Sequence, residues 1–466
     1  MINGELIIDC FAGGGGTSVG IEMATGSSPD IAVNHSPAAV RMHAANHPAT
    51  QHYCEDIWRL RITPSGGRDD PAAVCNGKPI ALAWFSPDCT HFSRSRGGKP
   101  KSKAIRGLAW SACRWAALVS PRVIILENVE EFMTWGPLNR RHHPVRAKQG
   151  ATFRKFISQM EGLGYIVEYR TLSAADYGTP TARKRFFLIA RRDGKPIIWP
   201  EPTHGPAGSP EVKEGKRLPY IGAHTQVDFS LLCPSIFATA ESIREKYGIR
   251  ATRPLVPKTL QRIAKGIEKF VAGNPDPFLV QLTENGKCRD SKGMEDGLYA
   301  AFIVQQQGMS VGSDIRSPLN TITAGGMGHM YLVMIHLHHA DRREAMARLE
   351  AAGAGQGEKR GEGDGELDGV YRGSGIFPET VEIHGTRYRI ADIGLRILEP
   401  RELYGCQGFP KDYIIDRDSS GKAYPKSEQV RRCGNAVCPP VPEALIRANL
   451  PELCAGAGKK AAQPAA

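Results

Sequence analysis

Three short stretches carry side chains that chemistry could use. Cys89 stands in Phe85-Ser86-Pro87-Asp88-Cys89-Thr90-His91-Phe92-Ser93, directly after the apolar run Ile80–Phe85. A thiol on a polar, proline-containing loop at the end of a buried strand is placed to act as a nucleophile; a cysteine within the run would be inert packing. Glu127 ends a second apolar run, Ile124-Ile125-Leu126-Glu127-Asn128-Val129, so a carboxyl also stands at a strand terminus. A single glutamate there could equally cap a helix or pair with a cation. Arg183 and Arg185 are two apart in Tyr177-Gly178-Thr179-Pro180-Thr181-Ala182-Arg183-Lys184-Arg185-Phe186-Phe187. On a strand they share one face, suited to an anion or a carbonyl oxygen, with a solvated basic edge as the plainer alternative.

These groups need a scaffold that brings strand ends together. Leu6–Asp9 is an apolar run closed by an acid, followed by Phe11-Ala12-Gly13-Gly14-Gly15-Gly16-Thr17-Ser18 and a helix-compatible pattern. Strand, glycine-rich turn and helix open a nucleotide-type α/β domain. The turn is neither GxGxxG nor a phosphate-binding P-loop, so an adenosine thioether suits it at least as well as a dinucleotide. Buried-strand candidates recur at Ile31–Val33, Ile80–Phe85, Val123–Leu126, Ile166–Tyr169 and Arg185–Ala190, with helices at Leu108–Ser120 and Thr152–Leu163 between them. The alternation predicts an α/β fold: a mostly parallel, doubly wound sheet over residues 1–192, covered on both faces. Beyond Arg192 prolines and glycines cluster. A helix at Pro257–Val271 and strand-like pieces at Phe278–Leu282 and Tyr331–Ile335 point to a second, smaller and more irregular domain over 193–424. Residues 353–369 alternate glycine with charge and are expected to be a flexible insertion; 455–466 read as a disordered tail.

At 466 residues the chain has room for two or three folding units. Its net charge of +12 favours a polyanionic partner. The eleven cysteines are scattered without a CxxC pair, which argues against a disulfide framework and a structural zinc site. His336, His338 and His339 lack a placed acid or thiol partner, so no metal is expected. No apolar run approaches a membrane span and no signal peptide is visible, leaving an intracellular, cytoplasmic protein as the expectation.

Together, the groups of the first paragraph form a recognisable set. Cytosine C5 is too weak a nucleophile to attack a methyl sulfonium. A thiolate adding at C6, with a carboxylic acid hydrogen-bonding N3, makes C5 enamine-like, and an arginine can hold O2. In this order the segments resemble the C5-cytosine DNA methyltransferase family. Arg316-Ser317-Pro318-Leu319-Asn320-Thr321-Ile322-Thr323, Leu398–Glu402 through Gln407–Pro410, and Gly434-Asn435-Ala436-Val437-Cys438-Pro439-Pro440-Val441 are similar to further motifs of that family. The likeness runs from Leu6 to about Leu445.

The resemblance implies Cys89 as nucleophile and Glu127 as the acid at cytosine N3 and N4, with Arg183 and Arg185 orienting that glutamate and contacting the base and its phosphate. It implies S-adenosylmethionine as cofactor, held by Phe11, Ala12, Gly13, Gly14, Asp56, Ile57, Asn435 and Val437, with residues 425–450 folding back to complete the first domain. Asn34 stands, with His35, where the family has an acid for the ribose; Asp88 and Thr90 replace the usual proline and glutamine beside the nucleophile; and Thr181 replaces a common glutamine. Asp88 is expected to point away from the thiol. The implied partner is double-stranded DNA, with the target base rotated out of the stack and the second domain reading the major groove. A companion restriction endonuclease is a further partner the likeness admits, and the chain is expected to be a monomer. A tRNA-modifying relative, a catalytically inactive DNA-binding relative and a generic nucleotide-binding oxidoreductase are the rival readings.

Overall fold

The computed structural model describes residues 1–60, 74–89, 102–282, 297–306, 310–323, 330–340 and 376–456. The expected insertion at 353–369 and residues 457–466 of the expected tail lie outside these. Among the described residues no helix is long and apolar enough to cross a membrane, and the ten described cysteines are all free.

The chain divides into two compact units. The first comprises Met1–Ile221, Asn320–Gly326 and Leu403–Ala466. It is built on a seven-stranded sheet in the order β3-β2-β1-β4-β5-β7-β6, with β1 Leu6–Cys10, β2 Ile31–Val33, β3 Gln51–Tyr53, β4 Ile80–Phe85, β5 Val123–Asn128, β6 Ile166–Ser173 and β7 Lys184–Arg191. The first five strands run parallel; β7 is antiparallel to both of its neighbours. Strands β1, β4 and β5 are buried along their whole length, as expected of near-continuous apolar runs in a sheet covered on both faces. Ile166–Tyr169 departs from expectation. It belongs to an edge strand with β7 as its sole strand neighbour, and Ile166 and Tyr169 are 59% and 43% exposed. Strand β3, only three residues long and polar, carries no apolar run to announce it.

Helix α1 (Gly16–Thr25) begins at the glycine-rich turn, where Gly15 takes φ 90°, a conformation that glycine adopts without strain. It packs on α7 (Pro440–Asn449), near the C-terminal end of the chain. The approach is so close that a Cβ on Gly16 would lie 2.2 Å from the Val437 carbonyl oxygen, and one on Gly20 2.5 Å from that of Pro439. The remaining helices used below are α2 (Pro37–Asn46), α3 (Trp110–Val119), α4 (Ala151–Gly162), α5 (Pro257–Ile267) and α6 (Lys426–Asn435). Ser36 caps α2 and Pro37 opens it, a common N-terminal pairing.

The second unit, Gly222–Leu319 with Met327–Glu402, is regular at its centre. Strands β8 (Leu279–Leu282), β9 (Gly297–Gln305), β10 (Met330–His339), β11 (Thr380–Ile383) and β12 (Thr386–Ile397) form an antiparallel sheet in the order β8-β9-β10-β12-β11. Helix α5 lies against it, Ile263 and Ile267 meeting Phe302, Val333 and Ile393 in one core. Gly266 permits this contact, since a Cβ there would strike the Phe302 ring.

Candidate active site

In open α/β sheets ligands bind at the C-terminal strand ends, where the strand order reverses. Here that point lies between β1 and β4, and the Ser86 N–H donates to the Cys10 carbonyl across it. Cys89 follows three residues on. Its loop is pinned by Asn128, whose Nδ2 donates to the Pro87 carbonyl at 3.2 Å, and by Trp84, whose indole N–H donates to Ser86 Oγ at 2.9 Å. Asp88 is exposed while Cys89 is half-buried.

Glu127, buried at the end of β5, faces this thiol. Its Oε1 lies 3.2 Å from Arg185 Nε, and Ser86 hydrogen-bonds it as well. Burial pushes the Glu127 carboxyl above the ordinary range, against the pull of Arg185 and Arg183. Arg183, buried at 3% exposure, donates from Nη1 to the Gly434 carbonyl at 3.0 Å, while its Nε has no partner among the described residues. Burial lowers its guanidinium to about 10, with Arg185 adding repulsion. Burial also raises the Cys89 thiol. Arg185 opposes that shift, Glu127 adds to it, and Arg183 and Asp88 follow as weaker influences of opposite sign. The four residues singled out by sequence thus meet at one sheet edge: a resting thiol, a carboxyl raised by burial and two guanidiniums. Sequence reading missed Ser86, Asn128 and the Gly434 carbonyl, whose roles depend on side-chain hydrogen bonds and on the return of the C-terminal segment.

Beside the thiol loop, the glycine-rich turn borders a recess of about 150 Å³ lined by Ala12, Gly13, Ala32, Val33, Asn34, Val40, His43 and His52. Of the residues expected to hold a cofactor, Ala12, Gly13 and Asn34 line it. Phe11, Gly14, Asp56, Ile57, Asn435 and Val437 are not in its wall; Asp56 and Asn435 are exposed, and Val437 packs on Gly16. Asn34 Oδ1 accepts the Ser36 N–H at 2.9 Å, so an amide rather than a carboxylate borders the recess at the end of β2.

Behind the recess runs a buried polar row that the sequence did not announce. Asp9, Ala32 and His52 stand in register across β1, β2 and β3. Small Ala32 leaves room above it: Ser18 Oγ donates to Asp9 Oδ2 at 2.7 Å, His43 Nε2 lies 2.8 Å from Ser18 Oγ, and His43 Nδ1 lies 2.8 Å from His52 Nε2. His47 packs on His43, and Tyr413 donates its hydroxyl to the Gly14 carbonyl at 2.7 Å. Burial raises Asp9 to about 7, lowers His47 to about 4, and lowers His43 and His52. At neutral pH this wall therefore carries uncharged imidazoles.

The recess fits part of a nucleoside-type cofactor. It has apolar walls, one amide, two neutral imidazoles (His43 and His52), and open space beside Gly13, where a Cβ would meet only its own turn at 3.7 Å. It is a shallow, open recess that borders such a ligand on one side and does not enclose it. A doubly wound domain with Cys89 at its switch point, and a strand-end carboxyl and two guanidiniums beside it, has the parts that group transfer from a nucleoside-type cofactor would need. The profile of the family described as C-5 cytosine-specific DNA methylase matches residues 6–243 and 320–450. The chain belongs to that family, whose methyl donor is S-adenosylmethionine.

Among relatives, it is 30% identical to the type II methyltransferase M.SacI of Streptomyces achromogenes over 47% of this chain and 56% of that one. With M1.HphI of Haemophilus parahaemolyticus the identity is 29% over 42% and 48%. The chain thus spans about half the length of these two relatives, whereas the match to M.NlaIV of Neisseria lactamica, at 24% identity, covers 94% of this chain and 97% of that one. A solved structure of the S. pombe Dnmt2 methyltransferase is similar at 15% identity with a TM-score of 0.48, covering 95% of this chain and 97% of that one.

Proposed function

We propose that the chain methylates C5 of cytosine at specific sites in double-stranded DNA, through a covalent bond between Cys89 and C6 of a flipped base. The observation that carries this reading is the convergence of Cys89, Glu127, Arg183 and Arg185 at one strand-end edge in a chain of this family. The target atom is hidden inside the duplex, so the base must leave the stack to reach the thiol.

Burial keeps Cys89 a thiol at rest, so its proton must leave as the C–S bond forms. Glu127, raised by burial, holds a proton readily enough to share it with the ring nitrogen N3, drawing electrons from C6 and leaving C5 enamine-like. Arg185 keeps that carboxyl oriented through the 3.2 Å ion pair, and Arg183, tied to Gly434, presents a buried cation to the base oxygen or its phosphate. S-adenosylmethionine, when bound, supplies an electrophilic methyl. With the methyl on C5 and the thioether released, loss of the C5 proton to water then expels Cys89 as a thiolate and restores the aromatic ring. Ala12, Gly13 and Asn34 at the recess, with Phe11, Gly14, Asp56, Ile57, Asn435 and Val437 around it, are the residues proposed to hold the donor. The second unit is proposed to read the target sequence. The same reading has the chain acting inside the cell as a monomer, with a restriction endonuclease of the same site as companion.

Trapping on duplex DNA containing 5-fluorocytosine, with S-adenosylmethionine present, tests this. Fluorine blocks the final elimination, so an adduct stable to denaturation is expected for the wild type and none for Cys89→Ser. An adduct that survives Cys89→Ser overturns the nucleophile. No adduct on any duplex, with efficient trapping on structured RNA instead, overturns the substrate.

A further inference from the structure

Between β5 and α4 the chain makes an excursion, residues 137–148, that the reaction just described does not use. It contains Arg140, Arg141, His142, His143, Arg146 and Lys148 and no acid. The two nearest acids before it in the chain, Glu130 and Glu131, precede its neck. Arg140, Arg141, Arg146 and Lys148 are all exposed, and no ion pair between described residues involves them.

The excursion is built to hold its shape. Its base is closed by Trp135, whose carbonyl accepts the N–H groups of Thr152 and Phe153 at the start of α4. Trp135 also packs on Trp110, Phe132 and Phe156. Gly136 closes the neck: a Cβ there would stand 2.3 Å from the Lys148 carbonyl oxygen, and Arg106 donates to the Gly136 carbonyl from a buried position. At the tip, a bridge between Leu138 and Pro144 makes a short hairpin. Asn139 Oδ1 accepts the N–H groups of Arg141 and His143, and His142 takes a left-handed φ of 61°. An ordered tip whose Arg140, Arg141, Arg146 and Lys148 make no ion pair among the described residues is electrostatically unfavourable in isolation; a polyanion relieves that repulsion. The chain leaves β5 after Asn128, at the sheet edge that carries Cys89, and passes through a 3-10 turn at Glu130–Thr134 before the excursion begins.

We infer that this clamped basic hairpin is a second contact for duplex DNA, binding backbone phosphates that flank the target base without reading sequence. The inference rests on the proposed action on DNA and adds to it a surface outside the recognition unit. A duplex fits because it presents roughly one phosphate charge per 1.7 Å of axis, dense enough for several cations of one tip to engage at once.

The test is the full-length quadruple variant Arg140→Gln, Arg141→Gln, Arg146→Gln, Lys148→Gln. Binding to a 40-base-pair duplex of arbitrary sequence is followed by fluorescence anisotropy at several salt concentrations. Each lost phosphate contact should flatten the log–log salt slope by about 0.9, so loss of two or three contacts flattens it by about 2–3. On unmethylated bacteriophage DNA, KM should rise about tenfold or more at unchanged kcat, as expected when binding is lost equally from ground and transition states. An unaltered thermal midpoint is expected, since all four side chains are exposed. Equal slopes for variant and wild type overturn the inference while leaving the proposed function standing. A slope change seen with single-stranded RNA and absent with duplex DNA overturns the choice of partner. A wild type that neither binds nor methylates duplex DNA overturns the proposed function, and this contact with it.

Discussion

Two carboxyls are buried near the C-terminal ends of parallel strands in the first unit, and they are managed in opposite ways. Glu127 on β5 is flanked by two guanidiniums, with Arg185 at 3.2 Å. Asp9 on β1 meets a hydroxyl, that of Ser18, with neutral imidazoles behind it; its Oδ1 has no partner among the described residues. Burial raises both. At Glu127 the two guanidiniums oppose the shift that burial imposes; the proposed mechanism has this carboxyl share a proton with the base. At Asp9 no cation answers among the described residues, so a negative charge there is costly. One acid is proposed for chemistry, while the other ties β1 to α1 through Ser18.

The contrast breaks most sharply under isosteric replacement. Glu127→Gln keeps the shape and removes the ionisable proton, and kcat should fall by about 10²–10⁴-fold, the usual worth of a positioned acid. Fluorocytosine trapping should fall in parallel. Asp9→Asn should leave kcat within about threefold, because nothing in the reaction scheme calls on its proton. A large kcat loss in Asp9→Asn, with S-adenosylhomocysteine binding intact by calorimetry, would collapse the distinction.

Stability should separate the two next. The carboxyl of Asp9 lies near 7 in the folded chain against 3.8 when unperturbed. Below about pH 4 it is protonated in both states and costs nothing. As pH rises through this window the unfolded chain releases the proton first, so folding loses stability until the folded carboxyl also ionises. At about 1.4 kcal/mol per pH unit the full cost above pH 7 is on the order of 4 kcal/mol. Asp9→Asn should therefore gain stability relative to wild type between pH 4 and 7.5, read as a widening difference in denaturant midpoints. A pH-independent difference would mean that the carboxyl is not buried as described.

The meeting of Cys89, Glu127 and the arginine pair at strand ends was legible in sequence, and the lining of the recess only partly so. Cys89, Glu127 and the arginine pair each end or begin an apolar run, and such runs declare both the strand and its terminus. The polar row was hidden because Asp9, Ser18, His43 and His52 come from four elements, and only register across β1, β2 and β3 brings them together. Strand β3 itself, Gln-His-Tyr, lacks any apolar signal. The 3.6-residue pattern could place His43 and His47 on one helix face; it could not show Ser18 beneath them. Ile166–Tyr169 failed in the other direction, since an apolar-looking run says nothing of whether its strand lies inside a sheet or at its edge.

The C-terminal segment serves both acids, supplying the Gly434 carbonyl to Arg183 and the Tyr413 hydroxyl to the Gly14 carbonyl. Disturbing its docking should therefore weaken both regions together. Gly16→Ala would drive a methyl to 2.2 Å from the Val437 carbonyl oxygen, which a rigid backbone cannot yield cheaply. Overpacking of this kind costs about 1–3 kcal/mol, so a lowered thermal midpoint is expected, with S-adenosylhomocysteine affinity reduced alongside kcat. If only one of those two readouts moved, the segment would be supporting a single region.

The smallest effect is expected at Asp88, next to Cys89, the proposed nucleophile. A carboxylate so placed would oppose thiolate formation if it faced the sulfur. Asp88 is instead exposed, and its influence on Cys89 ranks behind those of Arg185, Glu127 and Arg183. Solvent screens such a charge, while the neighbouring Pro87 carbonyl, held by Asn128, fixes the loop independently of it. Asp88→Pro should thus keep kcat/KM within about threefold, a change of about 0.7 kcal/mol at the transition state. Asp88→Asn separates charge from backbone. If proline alone lowers activity at an unchanged thermal midpoint, loop conformation at residue 88 matters. If both variants raise the rate toward low pH, the carboxylate has been restraining the thiol after all, and the reaction edge would be tuned by one acid more than Glu127.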